Sequence, residues 1–280
     1  HKEYRRQRQM CIRDRVNPVN GVLPIVCAAK EAGIKLCIIP KDNLKEGSIA
    51  QGIRLYGAES LKDVQDILIN NSLDGVSANN PSDDFNKKYE AKSDGVISEG
   101  VILADSLNEE EDYLDIRGQY SAKRATLIAA AGMHNIMYVG PPGSGKTMLA
   151  KRIPTILPDM TDEEKLKVTK IYSVAGKLDA EKGLITRRPF RSPHHTITAA
   201  AMLGGGRIPR PGEITLSGSG VLFLDEMTEF RPELMESLRQ PLEDKKITVV
   251  RLNAAYTYPA EFMLACLLYT SPSPRDRQKS

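Results

Sequence analysis

The sequence predicts an α/β fold, a parallel sheet flanked by helices, with a smaller α+β domain before it. Three observations carry this. A short apolar run, Ile136–Val139, passes directly into Gly140-Pro141-Pro142-Gly143-Ser144-Gly145-Lys146-Thr147. A second run, Val221–Leu224, ends in Asp225-Glu226. Apolar runs and helically spaced apolar residues alternate along residues 16–69.

A length of 280 residues suits one or two domains with full cores. No apolar run reaches the roughly 18 residues of a membrane-spanning helix, so no membrane partner is expected. The basic N-terminus lacks the apolar stretch of a signal peptide. Residues 1–15 (HKEYRRQRQMCIRDR) have no apolar period, and residues 267–280 (LLYTSPSPRDRQKS) break off an apparent core strand into a Ser/Pro/Arg-rich run. Both read as non-native extensions and are set aside. They carry net charges of +4 and +2, which leaves −3 for the middle of a chain whose total is +3. The basic balance of the whole chain is therefore no sign of nucleic-acid binding. Cys11, Cys27, Cys37 and Cys266 form no C-x-x-C pair, as expected in a reducing cytoplasm without a disulfide framework.

Residues 16–70 read as a partial domain. Pro24 opens a helix with Ile25, Val26, Ala28, Ala29 and Ala32 as its apolar side, and Gly33 caps it. Ile34–Ile39 follows as a strand, then Ile53–Tyr56 as another. Ser60 caps a helix through Ile69, with Leu61, Val64, Ile67 and Leu68 at helical spacing. Residues 71–112 hold eleven acidic and three basic side chains and read as an acidic linker, with a possible short strand at 96–103.

Residues 113–266 hold the chemistry. A strand, the pattern G-x-x-x-x-G-K-T and a helix starting with good formers make a P-loop in its required context. A triphosphate crowds oxygens against backbone, so Gly140, Gly143 and Gly145 stand where a Cβ would collide or φ must be positive. Loop N–H groups and the helix start then face anionic oxygen. Lys146 reaches the β- and γ-phosphates of ATP, and the Thr147 hydroxyl ligates Mg²⁺. Asp225 and Glu226 arrive at the C-terminal end of a buried strand, where sites lie in parallel sheets. Asp225 holds Mg²⁺ through water; Glu226 orients or deprotonates the attacking water. The predicted catalytic residues are Glu226 and Lys146.

An amphipathic helix, Ala122–Ala131 capped by Gly132, precedes the P-loop strand. Between P-loop and Asp225 lie 77 residues, more than one helix and strand need. Gly204-Gly205-Gly206 supplies a flexible bend there, and Arg207 and Arg210 either touch a polyanion or belong to a solvated basic loop. His194-His195 diverge on a helix or a strand and have no ligand-spaced partner, which favours a structural or substrate-loop role over a metal. Residues 233–242 read as one helix, and 247–252 and 262–265 as strands.

The stretch DIRGQYSAKRATLIAAAGMHNIMYVGPPGSGKT, with RRPFRSPHHTITAAAMLGGGRIPRPGEITLSGSGVLFLDE, resembles the Mg-chelatase-like AAA+ ATPases. VNGVLPIVCAAKEAGIKLCIIPKDN resembles the later part of the Lon-protease-like (ribosomal S5 domain 2-like) domain at the N-terminus of the ComM/YifB family. The resemblance implies that Gly118 and Gln119 lie beside the adenine and that a helical or hairpin insertion projects from the core. It also implies a ring of self-copies, a hexamer, working in the bacterial cytoplasm. There it would use ATP and Mg²⁺ to move branched or single-stranded DNA during competence and recombination. The alternatives are the ATPase subunit of a metal chelatase and an ATP-regulated Lon-like peptidase. Lon's Gly-Gly-x-Lys element has no counterpart, so Lys30 and Lys35 read as surface residues. The family's sensor Asn, arginine finger and helical lid also have none, so the core reads as truncated before its lid, with little turnover expected.

Overall fold

The computed structural model describes residues 14–72, 112–178, 183–205, 210–251 and 254–269. The expected strand at 96–103, most of the acidic linker, Arg207 and the outer parts of both extensions lie outside them. The described residues form two compact units: 14–72 with 172–178 and 183–184, and 112–171 with the rest from Ile185 onward.

In the first unit, α1 (Val22–Glu31) buries Val22, Leu23, Val26 and Cys27, a single stripe at helical spacing. The helix starts two residues before Pro24. Proline fits there because first-turn N–H groups have no partner within the helix. β1 (Leu36–Pro40) and β2 (Arg54–Ala58) pair in parallel, Leu36 opposite Arg54, with the short α2 (Leu44–Ser48) between them. α3 (Leu61–Ser72) carries the expected cap. Ser60 Oγ accepts from Asp63 N at 3.2 Å, while Asp63 Oδ2 accepts from Ser60 N at 2.9 Å. Glu46 is buried but satisfied: its carboxylate accepts from Leu23 N, Asn43 Nδ2 and Ser173 Oγ. Asp14 and Arg15, expected to stand apart, join this unit. The Asp14 carbonyl accepts from Leu61 N at 2.8 Å, and Arg15 bridges to Ser60.

The second unit runs α4 (Tyr120–Ala131), β3 (Ile136–Gly140), α5 (Lys146–Lys151), the first part of α6 (Asp162–Ala175) and β4 (Phe190–Arg191). Then come α7 (Ala199–Leu203), β5 (Gly204–Gly205), β6 (Arg210–Pro211), α8 (Glu213–Leu216) and β7 (Val221–Leu224). It closes with α9 (Pro232–Ser237), α10 (Arg239–Asp244), β8 (Lys246–Arg251), β9 (Ala254–Pro259) and β10 (Met263–Tyr269). The main sheet has the order β3-β10-β7-β4, all parallel. β7 is buried along its whole length, as its VLFL run demands. Its side chains alternate between two cores. Val221 and Phe223 join Tyr138, Leu149, Phe190 and Leu267 on one face; Leu222 and Leu224 join Met202, Ile214, Leu234 and Leu238 on the other.

Three expectations change. The strand read as 262–265 runs to Tyr269 and pairs with β3 through Tyr269 opposite Gly140. Leu267, set aside in the sequence, is fully buried there, because Leu-Leu-Tyr continues the apolar run. The helix read as 233–242 breaks at Leu238 into α9 and α10. Pro241 has no N–H for the Ser237 carbonyl and its ring would crowd it. The strand read as 247–252 is half of an antiparallel hairpin, β8–β9, whose second arm was not anticipated.

At the start of α6, Thr161 and Glu164 cap each other, Thr161 N donating to Glu164 Oε2 at 2.8 Å. Arg188 Nη1 reaches Glu164 Oε1 at 3.2 Å and the Ser219 carbonyl at 2.6 Å. Burial alone would raise the Glu164 carboxyl, but the Thr161 N–H and the Arg188 guanidinium outweigh it and hold the carboxyl below its ordinary value. This contribution is present above the usual glutamate range and is lost as pH falls through and below it. Glu164→Gln is therefore expected to lower stability at neutral pH and to narrow the gap to wild type in acid, read from urea midpoints across pH. A gap constant from neutral to pH ~3 would refute the coupling.

Candidate nucleotide site

The P-loop spans the turn from β3 to α5. Gly143 (φ 77°) and Gly145 (φ 79°) are left-handed, as expected where a Cβ is penalised. Gly140 is different: a Cβ there would meet Ser144 Oγ at 3.7 Å, an ordinary contact. Lys146 is buried at 7% exposure, and its ammonium is held by the loop itself. It donates to the Gly140 carbonyl at 2.9 Å, the Pro141 carbonyl at 2.6 Å and Ser144 Oγ at 3.1 Å. Ser144 Oγ in turn donates to the Pro141 carbonyl at 2.9 Å. The ring of Tyr269, at the end of β10, lies 4.4 Å from the Lys146 ammonium, a cation–π contact. Tyr269 was not among the expected site residues. Its signal was the unbroken apolar run from Met263, which carries it to the edge where β3 delivers the P-loop.

Thr147 follows on α5, half-buried. Asp225 comes off β7, one strand beyond β10, at the same C-terminal edge, since all these strands are parallel. Its Oδ1 is buried and, among the described residues, has no hydrogen-bond partner. A buried acceptor left open is costly unless something supplies the missing charge or donor, and a hydrated Mg²⁺ would do so. The donor set of Thr147 and Asp225 therefore fits the cation that the P-loop implies. Glu226 is exposed, and its backbone is left-handed (φ 52°, ψ 56°), which turns the chain out of the strand. Its carbonyl accepts from Glu229 N at 2.8 Å and so holds the turn closed.

Gly118 (φ 70°) and Gln119 (φ 54°) form a left-handed turn before α4. Gln119 Nε2 donates to the Ser144 carbonyl, so this segment is tied to the P-loop backbone. Beneath the loop, Tyr138 Oη and Thr126 Oγ1 share a buried hydrogen bond of 2.7 Å that joins β3 to α4. Burial pushes the Tyr138 hydroxyl up to about 12, against the Thr126 bond, so it remains a neutral donor.

The remaining candidates lie apart from this constellation. His194 and His195 do not diverge as expected: they lie outside helix and strand, with ring centroids 4.0 Å apart and planes tilted by 36°, and His195 meets Phe230 edge-on at 6.5 Å. Arg210 is exposed on β6, opposite Gly205. In the stretch where an insertion is expected, the described residues form a short helix, α7, a two-residue ladder, β5–β6, and α8. Arg191 anchors it through a double contact with Glu213, 2.5 and 2.9 Å. Among the described residues, no helix is long and apolar enough to cross a membrane.

The family model described as magnesium chelatase, subunit ChlI, matches residues 112–280. The uncharacterized protein Rv2897c of Mycobacterium tuberculosis is 40% identical over 268 residues, covering 95% of this chain and 48% of its own length. The competence protein ComM of Haemophilus influenzae is 37% identical over 273 residues, 97% of this chain and 50% of that protein. YifB of Escherichia coli is 47% identical over 164 residues, 59% of this chain and 32% of that protein. The chain thus spans about half the length of the curated relatives it matches from end to end. It belongs to the magnesium chelatase ChlI family and, within it, to the ComM/YifB type of Mg-chelatase-like AAA+ proteins.

Proposed function

We propose that this chain carries the ATP-binding and ATP-hydrolysing centre of a cytoplasmic AAA+ motor that acts on DNA as a ring of copies. The observation that supports it most is the meeting of two incomplete groups at one sheet edge. Among the described residues, the buried ammonium of Lys146 has three neutral acceptors but no counter-charge, and a buried carboxylate oxygen of Asp225 has no hydrogen-bond partner. Mg-ATP supplies both deficits at once, and with them a scissile phosphoanhydride. In this reading the P-loop amides and Lys146 hold the phosphates, and Thr147 and Asp225 hold the cation. Glu226 takes the proton of the attacking water. Gly118 and Gln119 flank the base. The DNA half rests on the similarity to a competence protein.

The test is Mg-dependent phosphate release by the 280-residue chain, alone and with forked or four-way DNA. Glu226→Gln is expected to lower turnover about a hundredfold while nucleotide binding persists. Stimulation by DNA that this variant lacks is the expected result. Hydrolysis indifferent to every DNA would leave the ATPase standing and reassign the motor to a protein or tetrapyrrole partner. Unchanged turnover in Glu226→Gln would remove Glu226 from its role.

A further inference from the structure

We propose that Lys30, Lys35 and Arg54 form a binding pocket for a phosphate group in the first unit. The group is carried either by a small phosphorylated molecule or by a nucleic-acid strand. The three residues line one cavity of about 530 Å³, and no carboxylate lines it with them. The fold brings them together from three places. Lys30 is in the last turn of α1. Lys35 immediately precedes β1, and its carbonyl accepts from Arg54 N at 3.1 Å; Arg54 is in register with Leu36, the next residue, so the starts of the two strands are joined at the cavity. The turn before β2 has Gly52 at φ 86°, and a Cβ there would lie 3.4 Å from both Cε and Nζ of Lys30. The lysine therefore lies across the bare glycine, on the side of the cavity.

Among the described residues, none of these three side chains makes a hydrogen bond or an ion pair. What sets these three apart from other exposed basic residues of the unit is that they line one cavity without a carboxylate. Like charges gathered around one concavity repel, and a bound anion relieves this. A single carboxylate would leave two of the cations uncompensated. A phosphate dianion, or successive phosphodiesters, matches them better, with the Arg54 fork suited to two phosphate oxygens. Ser48 also borders the cavity, its hydroxyl donating to the Lys45 carbonyl at 2.7 Å. Ile34 and Leu55 add apolar wall that a base or sugar can lie against.

The experiment uses the full chain carrying Lys146→Ala and no Mg²⁺, so that the P-loop contributes little and the nucleotide reading does not enter. Two probes are titrated: inorganic pyrophosphate, and a short fluorescein-labelled oligothymidylate. In this background Lys30→Gln/Arg54→Gln is compared with Lys45→Gln/Lys62→Gln, which changes net charge equally outside the pocket. The pocket variant is expected to weaken binding about tenfold or more relative to the control, as lost charge-assisted contacts do. Unchanged melting curves would show that both variants fold. If the loss is confined to pyrophosphate, the ligand is a small phosphorylated molecule. If the oligonucleotide is lost as well, with a shallower salt dependence, it is a strand. Equal loss in both double variants, or no binding of either probe before mutation, overturns the proposal.

Discussion

Lys146→Ala is expected to weaken nucleotide binding by on the order of 3 kcal/mol, more than a hundredfold in Kd, because it removes the ammonium from a desolvated phosphate contact. The same change affects the empty loop. Lys146 closes it by donating to Gly140, Pro141 and Ser144, so the variant loses three contacts that preorganise the cradle. Lys146→Arg does not rescue it, since a planar fork cannot replace a compact ammonium in a space bounded by the Tyr269 ring. Titration of a fluorescent ATP analogue with Mg²⁺ would measure all three proteins. Wild-type affinity in Lys146→Ala would place the nucleotide elsewhere and sink the assignment of this loop.

The largest effect on stability is expected at Gly220, a residue with no part in the chemistry. A Cβ there would stand 2.0 Å from the Pro189 carbonyl oxygen and 2.8 Å from two further Pro189 backbone atoms. Backbone cannot rotate away as a side chain can. Gly220 also joins strands on both sides: Val221 N donates to the Pro189 carbonyl at 2.8 Å, and the Gly220 carbonyl accepts from Met263 N at 2.9 Å. Relieving the clash pulls β4 from β7 and disturbs the start of β10. We expect Gly220→Ala to cost about 3 kcal/mol or more, which lowers the thermal midpoint of the P-loop unit by roughly 10 °C. Gly143→Ala is the control. It meets nothing within 4 Å and pays only for its left-handed backbone, about 1 kcal/mol. Equal melting of the two variants would show that close approach does not explain Gly220.

The candidate nucleotide site could be proposed from sequence because each of its parts is a local pattern. A P-loop is a local pattern, and the apolar run before Asp225 announces a buried strand whose end must face the sheet's C-terminal edge. The first unit's Ser60 cap and Gly132 at the end of α4 were legible for the same reason: each acts on its own helix. What stayed hidden depends on pairing across distance. No local feature tells that Tyr269 faces Lys146, because that contact requires β10 to lie beside β3, although 122 residues separate the two side chains. The break in residues 233–242 was legible in principle, since Pro241 stands inside the run, but three leucines spaced four apart outweighed it. The pocket of Lys30, Lys35 and Arg54 left no motif at all. Two lysines and an arginine look like ordinary solvated charge until parallel pairing of β1 and β2 brings the starts of both strands to one cavity with Lys30.

Glu226 sits in a backbone conformation that costs a branched or long side chain about 1 kcal/mol and costs glycine nothing. A sequence chosen for thermal endurance alone would give that position to glycine or asparagine and lose the carboxylate. If Glu226 has the proposed role, protocols that reward rigidity would trade turnover for stability at this turn, and a Glu226→Gly variant would melt later while hydrolysing less.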